Sequence, residues 1–361
     1  MPTLSVIIPV YNVAPYLRAC LDSVCVAVAN AQKVFQDLTA EIICVDDGST
    51  DGSGAILDEY MEQVGRKVEK RGGGGVWNGK PSLGISSPSH PPHFCVIHQA
   101  NAGVSVARNV ALDAATGDWV MMIDGDDTWT PDLLVRLFDH IKVYDQCDAV
   151  AFSIVKVNDD GERIAPHGDH LPLKVMSGDD VLADCKGPYS QFIWSSCDKI
   201  YRRSIVERQR LRYAVGMRRG EDLFFTQLFL AHAKMVVLDA SIEGYCYLMR
   251  LNSAVHTKYT SVDDEQIRTF CGLHEHWRLL QTPGLKKRLL VWGAGLLSLG
   301  KGDAYESGLR SSAIELLLRS REVTHIVIPF LIRHGTNKVR FFALVYFVSP
   351  RVVRRFILER L

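Results

Sequence analysis

Three acidic clusters carry most of the chemistry that this sequence could perform. Asp124-Gly125-Asp126-Asp127 puts three carboxylates within four residues. Such groups repel one another unless a cation offsets them or the chain disperses them. Joined by phosphate oxygens, they make the hard oxygen shell that Mg²⁺ or Mn²⁺ prefers. Gly125 would let the chain turn so that Asp124 and Asp126 address one crevice. Asp46 and Asp47 close an apolar run and could accept from ring N–H groups or ribose hydroxyls. Glu221 and Asp222 open an apolar helical run, Leu223-Phe224-Phe225. Two readings stand for that pair. The carboxylates suit a helix N-terminus on electrostatic grounds alone, or Asp222 is a general base that takes a proton from an attacking hydroxyl once water is excluded.

Single residues add to these clusters. Tyr11, in Pro9-Val10-Tyr11-Asn12, could stack on a base or sit in the core. Arg108 follows Asn101-Ala102-Gly103 and could neutralise a phosphate or carboxylate ligand, or pair with Asp47. His256 could reach a metal or a diphosphate, or be structural. Standard nucleotide loops are missing. Gly48, Gly52 and Gly54 do not have GxGxxG spacing, no GxxxxGK[ST] run occurs, and the acidic cluster lacks the glycine and terminal glutamate positions of an EF-hand.

The elements that must position these groups alternate over the first 160 residues. Strand-like runs are 4–9, 41–45, 94–97, 119–123 and 149–157; helical spacing marks 16–30, 53–64, 104–115 and a stretch from Thr130-Pro131 toward Tyr144. Short apolar strands separated by helices indicate an α/β fold with a mostly parallel sheet covered on both faces. Ligands of such sheets bind beyond the carboxyl ends of the strands. Three polar clusters, at 9–12, 46–49 and 124–127, follow three separate strands and would converge there.

Residues 65–92 interrupt this alternation with seven Gly, four Pro and four Ser, which predicts a flexible basic insertion. From Ser261 the texture becomes helical, near 264–280, 285–299, 303–320 and 338–348, so two domains are expected, 1–255 and 256–361. Residues 333–361 carry seven Lys and Arg against Glu359, interleaved with Phe341, Phe342, Tyr346, Phe347 and Phe356. That mixture suits peripheral contact with an anionic membrane; packing within the protein or a homodimer interface would use the same aromatics.

Whole-chain composition sets the outer bounds. The 361 residues are 47% hydrophobic and 23% charged, enough to build a core, and 41 basic residues balance 41 acidic ones. No nucleic acid partner is expected from that balance. Nine cysteines include no CxxC pair, which favours reduced thiols over a zinc site or disulfide scaffold. No signal peptide opens the sequence, and no apolar run reaches the roughly 18–20 residues of a membrane span. A cytoplasmic protein, at the inner face of the cell membrane, is the expectation.

The ordered motifs SVIIPVYN (5–12), EIICVDDGSTDGS (41–53), NAGVSVARN (101–109), GDWVMMIDGDDTWTP (117–131), CDKIYRR (197–203) and EDLFF (221–225) resemble the family 2 glycosyltransferases of the GT-A fold, especially bacterial enzymes of capsule, exopolysaccharide and lipopolysaccharide synthesis. The resemblance covers about residues 4–250 and implies an inverting, metal-dependent enzyme. It would move a hexose or N-acetylhexosamine from a UDP-sugar to a hydroxyl of a glycan or lipid-linked acceptor. It implies that Pro9, Tyr11 and Asp47 form the base pocket, with Asn101 and Arg108 on the same side and Asp124 near the ribose or donor sugar. Asp126 would be the principal ligand of Mn²⁺ or Mg²⁺ with His256 nearby. Asp222 would be the catalytic base, with Glu221 positioning the acceptor. A Rossmann-type oxidoreductase and a non-catalytic carbohydrate-binding or scaffold protein are the alternatives; the missing GxGxxG speaks against the first and the full acidic set against the second.

Overall fold

The structure, a computed structural model, describes residues 3–64, 66–69, 76–78, 92–164, 171–217, 220–250, 264–298, 323–337, 339–340 and 343. The chain divides into two compact units: Met1–Gly178 with Gln191–Met217 and Glu221–Leu251, and Asp179–Ser190 with Arg218–Gly220 and Asn252–Leu361.

In the first unit, β1 (Thr3–Val10) leads to α1 (Ala14–Val34), β2 (Thr39–Asp46) and α2 (Ser53–Val64). A short ribbon follows, β3 (Arg66–Glu69) antiparallel to β4 (Val76–Asn78). Then come β5 (His93–His98), α3 (Val104–Ala114), β6 (Trp119–Met122), β7 (Thr128–Trp129), α4 (Leu133–Val143), β8 (Ala149–Val157) and β9 (Lys174–Met176). α5 (Gly178–Ala183) belongs almost wholly to the second unit; back in the first, β10 (Lys199–Arg202), α6 (Arg203–Arg208), α7 (Glu221–His232) and β11 (Val236–Leu248) complete it. Nine strands form one sheet in the order β5-β2-β1-β6-β10-β8-β11-β7, with β9 added on β11. β5, β2, β1, β6, β8 and β11 run one way, while β10, β7 and β9 run against them. This is the expected mostly parallel α/β architecture.

The central strands read as unbroken apolar runs because helices cover both faces. Val6, Ile7 and Ile8 of β1 and Ile42, Ile43 and Cys44 of β2 are all buried. Each such side chain contributes about 1.5–3 kcal/mol on leaving water. On α1, Leu17, Leu21, Val24 and Val28 recur at helical spacing and are buried, with Pro15 in the first turn.

Some local expectations are corrected. At the start of α2 the Ser53 hydroxyl donates to Asp51 and accepts from the Val13 N–H, and Asp51 also accepts the Ser53 N–H. α4 starts at Leu133, not at Pro131: the Leu133 N–H bonds back only three residues, to Thr130, as a turn, and Arg136 N–H to Asp132 is the four-residue bond that opens the helix. Within 65–92, the β-formers Val68, Val76 and Trp77 sit in the paired ribbon, so those seven residues are strand. No disulfide joins the nine cysteines.

In the second unit, α8 (Asp264–Leu280) packs on α9 (Pro283–Ser298), followed by a π turn (Val323–Val327) and a helix, Ile328–His334. Phe270, Trp277 and Phe330 meet edge to face in its core, with ring centroids 5.1–5.8 Å apart where they touch. Asp179 caps α9: its carboxylate accepts from the Gly284 N–H at 2.8 Å and the Leu285 N–H at 3.1 Å. The expected helices 303–320 and 338–348 fall wholly or largely outside the described residues. Among the described residues no helix is long and apolar enough to cross a membrane.

Candidate active site

The carboxyl ends of β1 and β2 are stitched together by polar side chains. Asn12, at φ 51°, accepts the Thr50 N–H at 2.8 Å and donates its own N–H to Ser49 Oγ at 3.1 Å. This leaves Tyr11 50% exposed at the strand end, so it is not a core residue. Pro9 pairs with Val45 in register one residue before the polar turn. Asp46 turns inward, taking the Ser49 N–H on one oxygen and meeting His98 Nδ1 at 2.9 Å with the other.

Asp47 reaches across to α3. It accepts from the Ala102 N–H at 2.9 Å, the Gly103 N–H at 2.8 Å and the Gln99 amide at 2.6 Å, and is 2% exposed. Three of the roughly four acceptor positions of a carboxylate are thus taken, two of them at a helix N-terminus, where negative charge is favoured. The turn is tight: Gly48 has φ +75°, and a Cβ there would lie 2.8 Å from the Asn101 nitrogen. Asn101 is exposed beside it.

The acidic turn after β6 disperses its three carboxylates onto separate partners. Asp124 accepts from Arg108 Nη2 at 2.7 Å and stays one-third exposed. Asp126 pairs with Arg250, whose guanidinium also lies over the Tyr16 ring at 5.1 Å. Burial and the Asp124 charge push the Asp126 carboxyl upward, with Arg250 pulling it back. Asp127 is buried, accepting from Tyr245 OH at 2.6 Å and the Leu248 N–H at 2.8 Å. Burial, then Asp124 and Asp126, push it up to about 8. Gly125 is not in a left-handed turn; a Cβ there would meet Val13 at 3.1 Å, which that side chain would have to yield to, and the Pro9 carbonyl at 3.4 Å.

Arg108 ties this turn to the start of α7. It is 2% exposed; Nη1 donates to Asp222 Oδ1 at 2.8 Å and to Glu221 at 3.3 Å, while Nη2 holds Asp124. The alternative pairing of Arg108 with Asp47 is therefore not the one taken. Burial and Asp222 push Glu221 up to about 7, and burial raises Asp222 as well, though Arg108 opposes it. A planar guanidinium presents separate nitrogens in a fixed fork, so its Nη1 and Nη2 can each meet carboxylates on a different element.

Asp124 and Asp126 are hard oxygen donors on one turn, of the kind that Mg²⁺ or Mn²⁺ takes, and each is held by an arginine, Arg108 and Arg250, that a cation bound there would have to displace or share. Among the described residues no cluster of three or more His, Cys, Asp and Glu is placed to hold a metal, so ligand oxygens would have to complete the shell. His256 lies outside the described residues.

With this geometry in place, the family relation decides the reading. The Glycosyl transferase family 2 model matches residues 5–78 and 84–210, more than half of the chain. The chain belongs to that family. Among its relatives, the uncharacterized glycosyltransferase EpsJ of Bacillus subtilis is 28% identical over 74% of this chain and 67% of its own length. Glycosyltransferase GlyA of Streptococcus pneumoniae is 30% identical over 86% of this chain but only 39% of its own length, so this chain spans well under half of that relative. The crystal structure of S. aureus TarS 1-349 in complex with UDP-GlcNAc superposes with a TM-score of 0.60 at 18% identity, covering 98% of this chain and 91% of that one. It establishes the GT-A fold.

Sequence reasoning missed Ser196, which holds Asp222, Tyr213, which holds Ser196, and Tyr245 and Arg250, which hold Asp127 and Asp126. No local pattern marks them. The CDKIYRR run, directly after Ser196, was the nearest signal.

Proposed function

We propose that the protein is an inverting glycosyltransferase of cell-surface polysaccharide synthesis. It moves a hexose or N-acetylhexosamine from a UDP-sugar to a hydroxyl of a glycan or lipid-linked acceptor. The observation that carries this reading is the bridge through Arg108, which sets the acidic turn after β6 beside Glu221-Asp222 at the carboxyl ends of the parallel strands. The family and the UDP-GlcNAc held by TarS support it.

In this reading Asp222 takes the proton of the acceptor hydroxyl as it attacks the anomeric carbon in line. A single base for the acceptor hydroxyl, with Glu221 given to positioning rather than attack, favours inversion. Glu221 positions the acceptor. Asp124 and Asp126 face the donor sugar and its diphosphate; a divalent ion held there by Asp126, with His256 as a further ligand, would stabilise charge on the leaving nucleoside diphosphate. Exposed Tyr11, with Pro9, Asp47 and Asn101, lines the base side. The basic aromatic tail rests on the cytoplasmic face of a membrane and brings the site to a lipid-linked acceptor; the homodimer reading of the same tail is the competing one.

A donor–acceptor transfer screen with UDP-glucose, UDP-galactose, UDP-GlcNAc and UDP-GalNAc, with Mn²⁺ or Mg²⁺, tests this. Sugar transfer with an inverted anomeric centre is expected. Calorimetry that finds tight metal-independent NAD⁺ binding and no UDP binding would overturn it.

A further inference from the structure

Among the described residues, the hydrogen bonds that Asp222 accepts on its carboxylate fall on one oxygen. Arg108 Nη1 reaches Oδ1 at 2.8 Å and Ser196 Oγ reaches the same atom at 2.5 Å. No hydrogen bond from the described residues reaches Oδ2. Two donors on one oxygen and none on the other orient a carboxylate, rather than merely neutralise it.

The Ser196 hydroxyl is directed by what lies behind it. Tyr213 OH donates to Ser196 Oγ at 2.7 Å, which leaves the serine proton to point at Asp222. Tyr213 cannot turn away. Its ring stacks on Phe225 at 4.4 Å and 3°, Arg108 lies 5.1 Å from its centroid, and its backbone exchanges hydrogen bonds with Asn109 at 2.7 and 2.9 Å. The serine turn is equally fixed. The Ser195 carbonyl accepts from buried Lys199 Nζ at 3.0 Å and from Thr226 Oγ1 at 2.9 Å, and the Ser196 carbonyl accepts from Tyr201 OH at 3.1 Å. Thr226 stands four residues after Asp222 on α7, so both meet the serine turn from one face of that helix. The turn and the base are thus fastened to each other twice, through the Asp222 carboxylate and one helical turn later.

We propose that Ser196, set by Tyr213, is the positioning residue of the base: it holds Asp222 by Oδ1 and presents Oδ2 to the acceptor hydroxyl. The proposal rests on Asp222 acting as the base. A hydrogen bond from Ser196 also favours the charged form of Asp222 against its burial, so the hydroxyl keeps the carboxylate able to take a proton.

The test follows the Asp222 carboxyl carbon by ¹³C NMR over a pH series on the full chain, the signal assigned by its loss in Asp222→Asn. In Ser196→Ala the midpoint should rise by about one pH unit, the scale of a hydrogen bond to a charged group. Ser196→Thr, which keeps the hydroxyl, should restore it. Tyr213→Phe should give a smaller rise in the same direction, and it carries the test if Ser196→Ala does not fold. With a donor and acceptor found by the transfer screen, Ser196→Ala should lower kcat about tenfold, leave the donor KM unchanged and move the acid limb of the pH profile upward. An unmoved midpoint in folded Ser196→Ala or, should that variant not fold, in Tyr213→Phe overturns the proposal. A midpoint that moves while Asp222→Asn keeps full turnover overturns the base assignment instead, and supports the hold of Ser196 on the carboxylate.

Discussion

Asp126, Glu221 and Asp222 are all carboxylates at one crevice, yet their surroundings separate their expected roles. Asp126→Asn should weaken Mn²⁺-dependent UDP binding, since a neutral amide is a poorer ligand for a hard cation; calorimetry with and without metal reads this directly. Asp222→Asn should leave UDP and Mn²⁺ binding intact and lower turnover roughly 10²–10⁴-fold, the scale of positioned acid–base catalysis. A thermal melt run beside the assay separates lost chemistry from lost folding. Near-normal turnover would remove Asp222 from the mechanism. Asp127 differs from all three, because Tyr245 and Leu248 take both of its oxygens. Folding raises its proton affinity from the usual 3.8 to about 8. The folded chain therefore holds a proton that the unfolded chain releases across that window, and stability falls as pH rises through it. Asp127→Asn cannot ionise, so its melting temperature should gain on that of the wild type from pH 5 to pH 8.5. A difference that stays constant with pH would mean that Asp127 is ionised throughout.

At the scale of elements, one arginine of α3 links the turn after β6 to the first turn of α7. Arg108→Ala should cost about 3 kcal/mol in denaturant unfolding, the low end for a broken buried pair because its carboxylate partners are partly exposed. Arg108→Lys should recover less than half of that loss, as a single nitrogen lacks the fixed fork by which Nη1 and Nη2 meet the two elements. An unchanged unfolding midpoint in Arg108→Ala would mean that the bridge adds nothing. Helices and buried parallel strands of the first 160 residues were legible because their signal is local: β1, β2, β5, β6 and β8 are apolar runs, and α1 and α3 carry a helical stripe. Antiparallel β10, four residues slotted between β6 and β8, has no such signal, and its place depends on pairing with residues 50 and 80 positions away. The acidic clusters were legible by type and spacing. Their partners were not, since Arg250 lies 124 residues beyond Asp126, and Tyr245 lies 118 beyond Asp127.

For the whole molecule, the basic aromatic tail gives the clearest test. The intact chain should co-sediment with anionic vesicles more than a chain ending at Thr336, and high salt should weaken the difference. Equal sedimentation of the two, with no preference for anionic lipid, would remove the membrane role and leave packing or a homodimer for those residues. The order in which the chain leaves the ribosome matters as well. Asp179 caps α9 from more than 100 positions upstream, so at 5–20 residues per second the capping carboxylate is synthesised about 5–20 s before the helix that needs it. During that interval Asp179–Ser190 has been made while most of its own unit is still untranslated. Synthesis and folding are thus out of step here: nascent chains stalled before Gly284 should be cut by protease at 179–190, and that cleavage should fade once α9 has emerged.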